Sequence, residues 1–236
     1  MYLAFVNEFI SGAFSVEHAE ALCQEAHDLI EPYVVGENGE QKGYTNLNKP
    51  QYFDKGLSEI LTQIETRQEV ARDFLADEGF TPSDIVISEI LYNPAANQGD
   101  GNSEFVEICN TGAAAVDLSG YAFSDGIAFT FPQNTSIAAG EYIVVAADAK
   151  SHDGLGCQVF QWKSGNLSNS GEAIQLSDAE GIQIDYVIYS DAAPWPESAD
   201  GGGSSLEVID LRAANSLPDN WKASSAAGGT PGRSNS

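Results

Sequence analysis

Ile85-Val86-Ile87-Ser88-Glu89-Ile90-Leu91-Tyr92-Asn93-Pro94 changes the rhythm of the chain. Ile85, Ile87 and then Ile90-Leu91-Tyr92 set apolar side chains at the period of a half-buried strand, and Asn93-Pro94 ends it. Phe105, Val106 and Ile108 repeat the pattern after the turn-rich Asn97-Gln98-Gly99-Asp100-Gly101-Asn102. Further short runs follow: Val116-Asp117-Leu118, Tyr121-Ala122-Phe123, Ala128-Phe129-Thr130-Phe131, Tyr142-Ile143-Val144-Val145, Val159-Phe160, Ala173-Ile174-Gln175-Leu176, 182–187 and Ser205-Leu206-Glu207-Val208. Ser124-Asp125-Gly126, Ala139-Gly140, Asp178-Ala179-Glu180-Gly181 and Asp200-Gly201-Gly202-Gly203 separate them as turns. Many short strands with regular turns predict an antiparallel sandwich or barrel. The tail from Ala223 to Ser236 is small and polar and is expected to be irregular.

Upstream of Pro82-Ser83 the period is helical. A short amphipathic run from Tyr2 stops at Ser11-Gly12. Ser15 reads as an N-cap, with Glu17 in the first turn where a carboxylate suits the helix dipole. Leu22, Ala26, Leu29 and Ile30 then recur at helical spacing. Residues 36–40 read as a polar turn. Pro50 suits the first position of a longer helix, whose stripe is Phe53, Leu57, Ile60, Leu61, Ile64, Ala71, Phe74 and Leu75. Gly79 is a stop signal. The expected fold class is therefore α+β multidomain: an α-helical hairpin or small bundle over 1–80 and a β-sandwich over 84–233. The helical half has a thin core. The long helix is expected to leave part of its stripe uncovered.

The 236 residues suit one large or two modest domains. Lys and Arg number 10 against 35 Asp and Glu, a net charge of −25. A nucleic-acid footprint needs clustered Lys and Arg, so that class of partner is excluded, and docking on anionic lipid is disfavoured. Residues before 84 carry 15 acids and 5 bases, and the remainder 20 and 5. No stretch reaches the length of a membrane span. The start, Met1-Tyr2-Leu3-Ala4-Phe5, has no basic region of a secretory leader. Cys23, Cys109 and Cys157 are too few and scattered for a disulfide framework or zinc site. A Cys109–Cys157 bridge and free thiols stay open as alternatives.

Several ordered motifs carry a resemblance. They are 87–94, then Glu104-Phe105-Val106-Glu107-Ile108-Cys109-Asn110, Val116-Asp117-Leu118-Ser119-Gly120-Tyr121, Leu167-Ser168-Asn169-Ser170-Gly171-Glu172, 199–207, Asn220-Trp221 and Thr230-Pro231-Gly232. In order and spacing they resemble the bacterial lamin tail domain over about 84–233. The resemblance implies an immunoglobulin-like sandwich without catalytic residues. Before it, residues 2–9, Ile30-Glu31-Pro32-Tyr33 and 64–71 resemble the C-terminal helices of the CotH (spore-coat protein H) family. Members of that family are atypical protein kinases, secreted or surface-associated, and bacterial ones often carry a lamin tail domain. This second resemblance implies an extracellular or cell-surface location and a kinase-like core upstream of Met1. No phosphate loop followed by a helix is present in this chain.

The candidate sites follow from these readings. Asp100 and Glu104 flank a loop with the oxygen ligands and small residues of a calcium site, though without EF-hand spacing; no other cofactor is expected. Asn, Asp and Gly also serve an ordinary turn there. Pro194-Trp195-Pro196 and Trp162 invite comparison with sugar-stacking aromatics, against the alternative that both are packing residues. The three histidines are expected at the surface, and no Gly-x-Ser-x-Gly elbow accompanies them. The expected function is a non-catalytic interaction or targeting module. Its partner is a protein or an upstream domain of the same parent, with self-association through the helical half. A fragment of an extracellular kinase and a carbohydrate-binding module are the alternatives.

Overall fold

The structure is a computed structural model, and it describes residues 2–35, 51–79, 82–96 and 103–236. The expected turn at 36–40, Pro50 and Asp100 lie outside the described residues. The chain divides into two compact units, Tyr2–Thr81 and Pro82–Ser236.

The first unit contains α1 (Tyr2–Ser11), α2 (Val16–Val34) and α3 (Gln51–Asp77), with α1 and α2 each packed on α3. The Ser15 side chain accepts from His18 N at the start of α2, which supplies one of the donors a helix N-terminus leaves unpaired. Gly79, at φ +71°, follows α3 in the left-handed region that favours glycine. The buried core is small: Ile10, Ala19 and Leu75, with Gln68. The face predicted for α2 is not a packing face, since Leu22, Leu29 and Ile30 are all exposed. Two helices do not supply enough apolar neighbours to cover a third all round.

The second unit is the expected sandwich, so the α+β class holds. Its strands are β1 (Ile85–Leu91), β2 (Phe105–Asn110), β3 (Val116–Asp117), β4 (Ala122–Asp125), β5 (Ile127–Thr130), β6 (Ser136–Ile137), β7 (Tyr142–Ala146), β8 (Gln158–Gln161), β9 (Ser164–Gly165), β10 (Gly171–Ser177), β11 (Gln183–Ser190), β12 (Leu206–Val208) and β13 (Trp221–Ala223). One sheet runs β13-β12-β1-β2-β7-β8; the facing sheet runs β11-β10-β4-β5-β9; β3 and β6 make a small third ladder. Among the described residues the named strands pair antiparallel except β7 with β8. Ile87, Ile90, Val106, Ile108, Ile143, Val145, Leu206 and Val208 from the first sheet meet Phe123, Ile174, Leu176 and Val187 from the second in one buried cluster. At about 25 cal/mol per Å² of apolar surface, this cluster is the main source of the sandwich's stability.

Both faces of the six-stranded sheet are buried along β1 and β2. The alternate residues Leu91, Phe105, Val144 and Ala146 form a second small cluster on the outer face, with Leu155, Cys157 and Val159. Residues 224–236 are irregular, as expected, but they are packed: Ser224 and Thr230 are buried, and Asn235 donates to Ser88 O and Val208 O. Hydrogen bonds to the sheet, not a ladder of its own, hold this segment in place. Cys23, Cys109 and Cys157 are free thiols. No described helix is long and apolar enough to cross a membrane.

Candidate functional site

An uncovered apolar groove lies between α2 and α3, with a volume of about 330 Å³. Its walls follow from helical spacing. Cys23, Ala26, His27 and Ile30 share one face of α2, and Phe53, Leu57 and Ile60 share one face of α3. Gly56 lies between them on α3 and has nothing within 4 Å of where a side chain would begin, so the groove floor stays open. Ile30, Tyr52 and Ile60 remain about half exposed, at 46, 48 and 51%. Such a lining accepts an apolar side chain and offers few polar partners.

His27 is the polar group of the groove. Its ring stacks on Phe53 at 4.0 Å between centroids and 21° between planes. Nε2 lies 3.3 Å from Asp54 Oδ1, and Nδ1 lies 3.5 Å from Asp28 Oδ1. The contact to Asp54 is an ion-pair distance without hydrogen-bond alignment. Both ring nitrogens therefore face carboxylates. Among the described residues no hydrogen bond joins His27 to Cys23, so these two are not paired as base and nucleophile.

The surface expectation for the histidines fails at two of the three. His27 is mostly covered by Phe53. His152 is buried at the end of a short 3-10 turn, edge-on to Phe105 at 5.2 Å, and burial holds its imidazole below the usual range. An imidazole has enough apolar ring area to fill a gap beside an aromatic side chain, which sequence spacing does not reveal.

The predicted site residues are placed as follows. Asp100 is outside the described residues. Glu104 turns inward: its Oε2 accepts from Leu167 N at 3.1 Å, and burial pushes its carboxyl up. Among the described residues no group of three or more His, Cys, Asp or Glu side chains is arranged to hold a metal ion. Trp162 and Trp195 are both core residues, each 6% exposed. Trp162 Nε1 donates to Gly165 O at 3.1 Å, and the Trp195 ring packs 5.8 Å from that of Trp221. Neither indole presents a free face for stacking. The alternative reading, that they pack the sandwich, is where the structure puts them.

The sandwich geometry agrees with a family match. The lamin tail domain model matches residues 79–191. The matched segment ends before β12 and β13, which nonetheless pair into the same sheet next to β1. The sandwich is thus larger than the matched span, and residues 192–236 complete it. No curated protein matches the chain. The crystal structure of a DUF4876 family protein from Bacteroides thetaiotaomicron is similar at a TM-score of 0.41 and 11% identity, over 63% of this chain and 69% of that one. A likeness of that degree carries no argument.

Proposed function

We propose that the chain is a non-catalytic interaction module, in which the lamin tail sandwich is a fixed body and the helical unit supplies a contact face for protein. The observation that carries this reading is the apolar groove between α2 and α3, left open within its own unit. Phe5, Leu29, Tyr33 and Val70 elsewhere in the helical unit are exposed as well, at 60, 72, 67 and 63%. Contiguous exposed apolar surface is a feature of protein contact sites. Lamin tail domains are in general protein-interaction modules, which favours the same reading for residues 79–191.

The finer form of the proposal places the chain at the end of a secreted or cell-surface CotH-like protein. It rests on the likeness of 2–9, 30–33 and 64–71 to the last helices of that family. On this reading the groove receives an upstream domain of the parent, and catalysis belongs to that domain. The test has two arms. Incubation with ATP and magnesium is expected to show no nucleotide turnover, and turnover would end the non-catalytic reading. The reading frame upstream of Met1 is expected to encode a kinase-like core; a stop codon just before Met1 would remove the CotH placement.

A further inference from the structure

Three glutamates stand abreast on the outer face of the six-stranded sheet. The register pairs Glu207 on β12 with Glu89 on β1, and Glu89 with Glu107 on β2. The same row continues to Lys222 on β13 at one side and to Val144 on β7 at the other. Like charges directly opposite each other on adjacent strands destabilise a sheet. Here all three side chains are also fully buried, at 0% exposure, where an ionised carboxylate costs most.

Residues 224–236 cover the row and donate to it. Thr230 N donates to Glu89 Oε1 at 2.8 Å, and Thr230 Oγ1 to Glu207 Oε1 at 2.7 Å. Gly232 N donates to Glu107 Oε2 at 2.6 Å. Ser236 reaches Glu207 Oε2 through N at 2.9 Å and Oγ at 2.8 Å. From the sheet, Ser88 Oγ donates to Glu107 and Ser205 Oγ to Glu89. Gly229, at φ +82°, has no room for a side chain: a Cβ there would fall on Glu89 Oε1. The fit is close, yet Glu89 Oε2 is buried with no hydrogen-bond partner among the described residues.

The cations near the row are Arg233 on the covering segment, which acts on Glu89 through space, and Lys222, whose Nζ donates to Ser236 O. Tyr142, Cys109 and Cys157 face Glu107 from the β2, β7 and β8 side. Tyr142 also bonds Ser234. No ion pair joins the row to either cation among the described residues.

We infer that Glu89 and Glu107, with Glu207 beside them in the row, form a proton-dependent clasp for residues 224–236, shut while Glu89 and Glu107 hold protons and opening as those two ionise. Burial pushes the Glu89 carboxyl up to about 7, and burial together with the neighbouring Glu89 pushes Glu107 up to about 8. A carboxyl raised in the folded state contributes stability that is full below its ordinary value near 4.5 and lost as pH rises through the folded value. The clasp therefore weakens between about pH 5 and pH 8 and is weakest in base. Opening frees the carboxylates to water and removes the mutual repulsion.

The test is amide hydrogen exchange of the whole chain from pH 6 to pH 9, each rate referred to its intrinsic value, with the Glu side-chain carboxyl carbons followed by NMR. The amides of Thr230 and Gly232 are expected to lose protection by at least about tenfold, the equivalent of one pKa unit, while those of β10 keep theirs. The Glu89 and Glu107 carboxyls are expected to titrate over the same interval. Glu107→Gln keeps an oxygen for Gly232 and removes a charge, and is expected to flatten the profile. The wild-type profile decides the matter if that variant fails to fold. Protection that stays flat to pH 9, Glu89 and Glu107 carboxyls that titrate near 4.5, β10 amides lost in step with the covering segment, or an unchanged profile in folded Glu107→Gln would each overturn the inference.

Discussion

Asp185 shows how one residue closes this sandwich. It lies on β11, yet its Oδ2 accepts from Ile87 N at 2.6 Å and from Asn215 Nδ2 at 2.7 Å, while Oδ1 accepts from Tyr186 N at 2.9 Å. Ile87 sits where the β1–β2 register breaks between Ile87 and Glu89. A bulge disrupts the ladder locally, and the carboxylate supplies an acceptor there from the facing sheet. Burial pushes Asp185 up to about 6, against the three donors that favour its charge. Its contribution is accordingly full below about pH 4 and declines as pH rises through 6. Asp185→Ala leaves those donors buried without their acceptor and is expected to cost about 3–5 kcal/mol. Urea unfolding read by tryptophan fluorescence measures it, because Trp162, Trp195 and Trp221 all belong to the sandwich. A loss under about 1 kcal/mol, the size of one ordinary hydrogen bond, would show that the register break does not depend on the carboxylate.

At the scale of elements, α3 is the axis of the helical unit and Gln68 is its polar pin. Gln68 is fully buried; its Nε2 donates to Phe14 O in the α1–α2 turn, and its Oε1 accepts from Arg72 at 2.7 Å. Phe14 stacks on Phe9 at 5.2 Å, so the pin fixes the turn that sets α1 against α3. Gln68→Ala removes one satisfied pair from a core of few residues and is expected to lower the stability of the unit by about 1–3 kcal/mol. Thermal melting followed at the helical circular dichroism band reports this unit, since the described α-helices all lie in it. An unchanged melt would assign the turn to the stacked phenylalanines alone. The stripe of α3 was legible from spacing, with Leu75 buried and Phe53, Leu57, Leu61 and Ile64 partly so. Gln68 was not, because glutamine is ordinarily a surface residue and only the α1–α2 turn gives it a carbonyl to reach.

At the scale of the whole molecule, charge opposes association and the apolar groove favours it. Two copies of a chain with a net charge of −25 repel each other, and salt screens that repulsion within a Debye length of about 10 Å at 0.1 M. Self-association through the helical unit is therefore expected to strengthen as salt is raised. Sedimentation velocity at low and high salt measures it, and Ile60→Glu, which sets a charge in the groove, is expected to abolish it. A chain that stays monomeric at both would remove a second copy as the occupant of the groove.

Strand positions, the helical stripe, the N-cap at Ser15 and the stop at Gly79 were set by local chemistry: side-chain period, capping oxygens and the freedom of glycine at positive φ. The motifs that resemble the lamin tail domain were legible for the same reason, since each is a turn glycine, a strand pair or an acid at a fixed offset. The tertiary structure alone decided what covers each face. Glu89, Glu107 and Glu207 lie 18 and 100 residues apart in the chain, and only strand register makes them neighbours. Ala223 to Ser236 have no periodicity, so nothing local marks them as a cover for the sheet; their order comes from carboxylates supplied by three other strands. Trp162 and Trp195 could be read as exposed or packed and His152 was read as exposed, and the outcome for all three fell to the shape of the sandwich around them. Alternation tells which side chains share a face. What lies on the other side of that face is fixed by contacts between residues far apart in the chain.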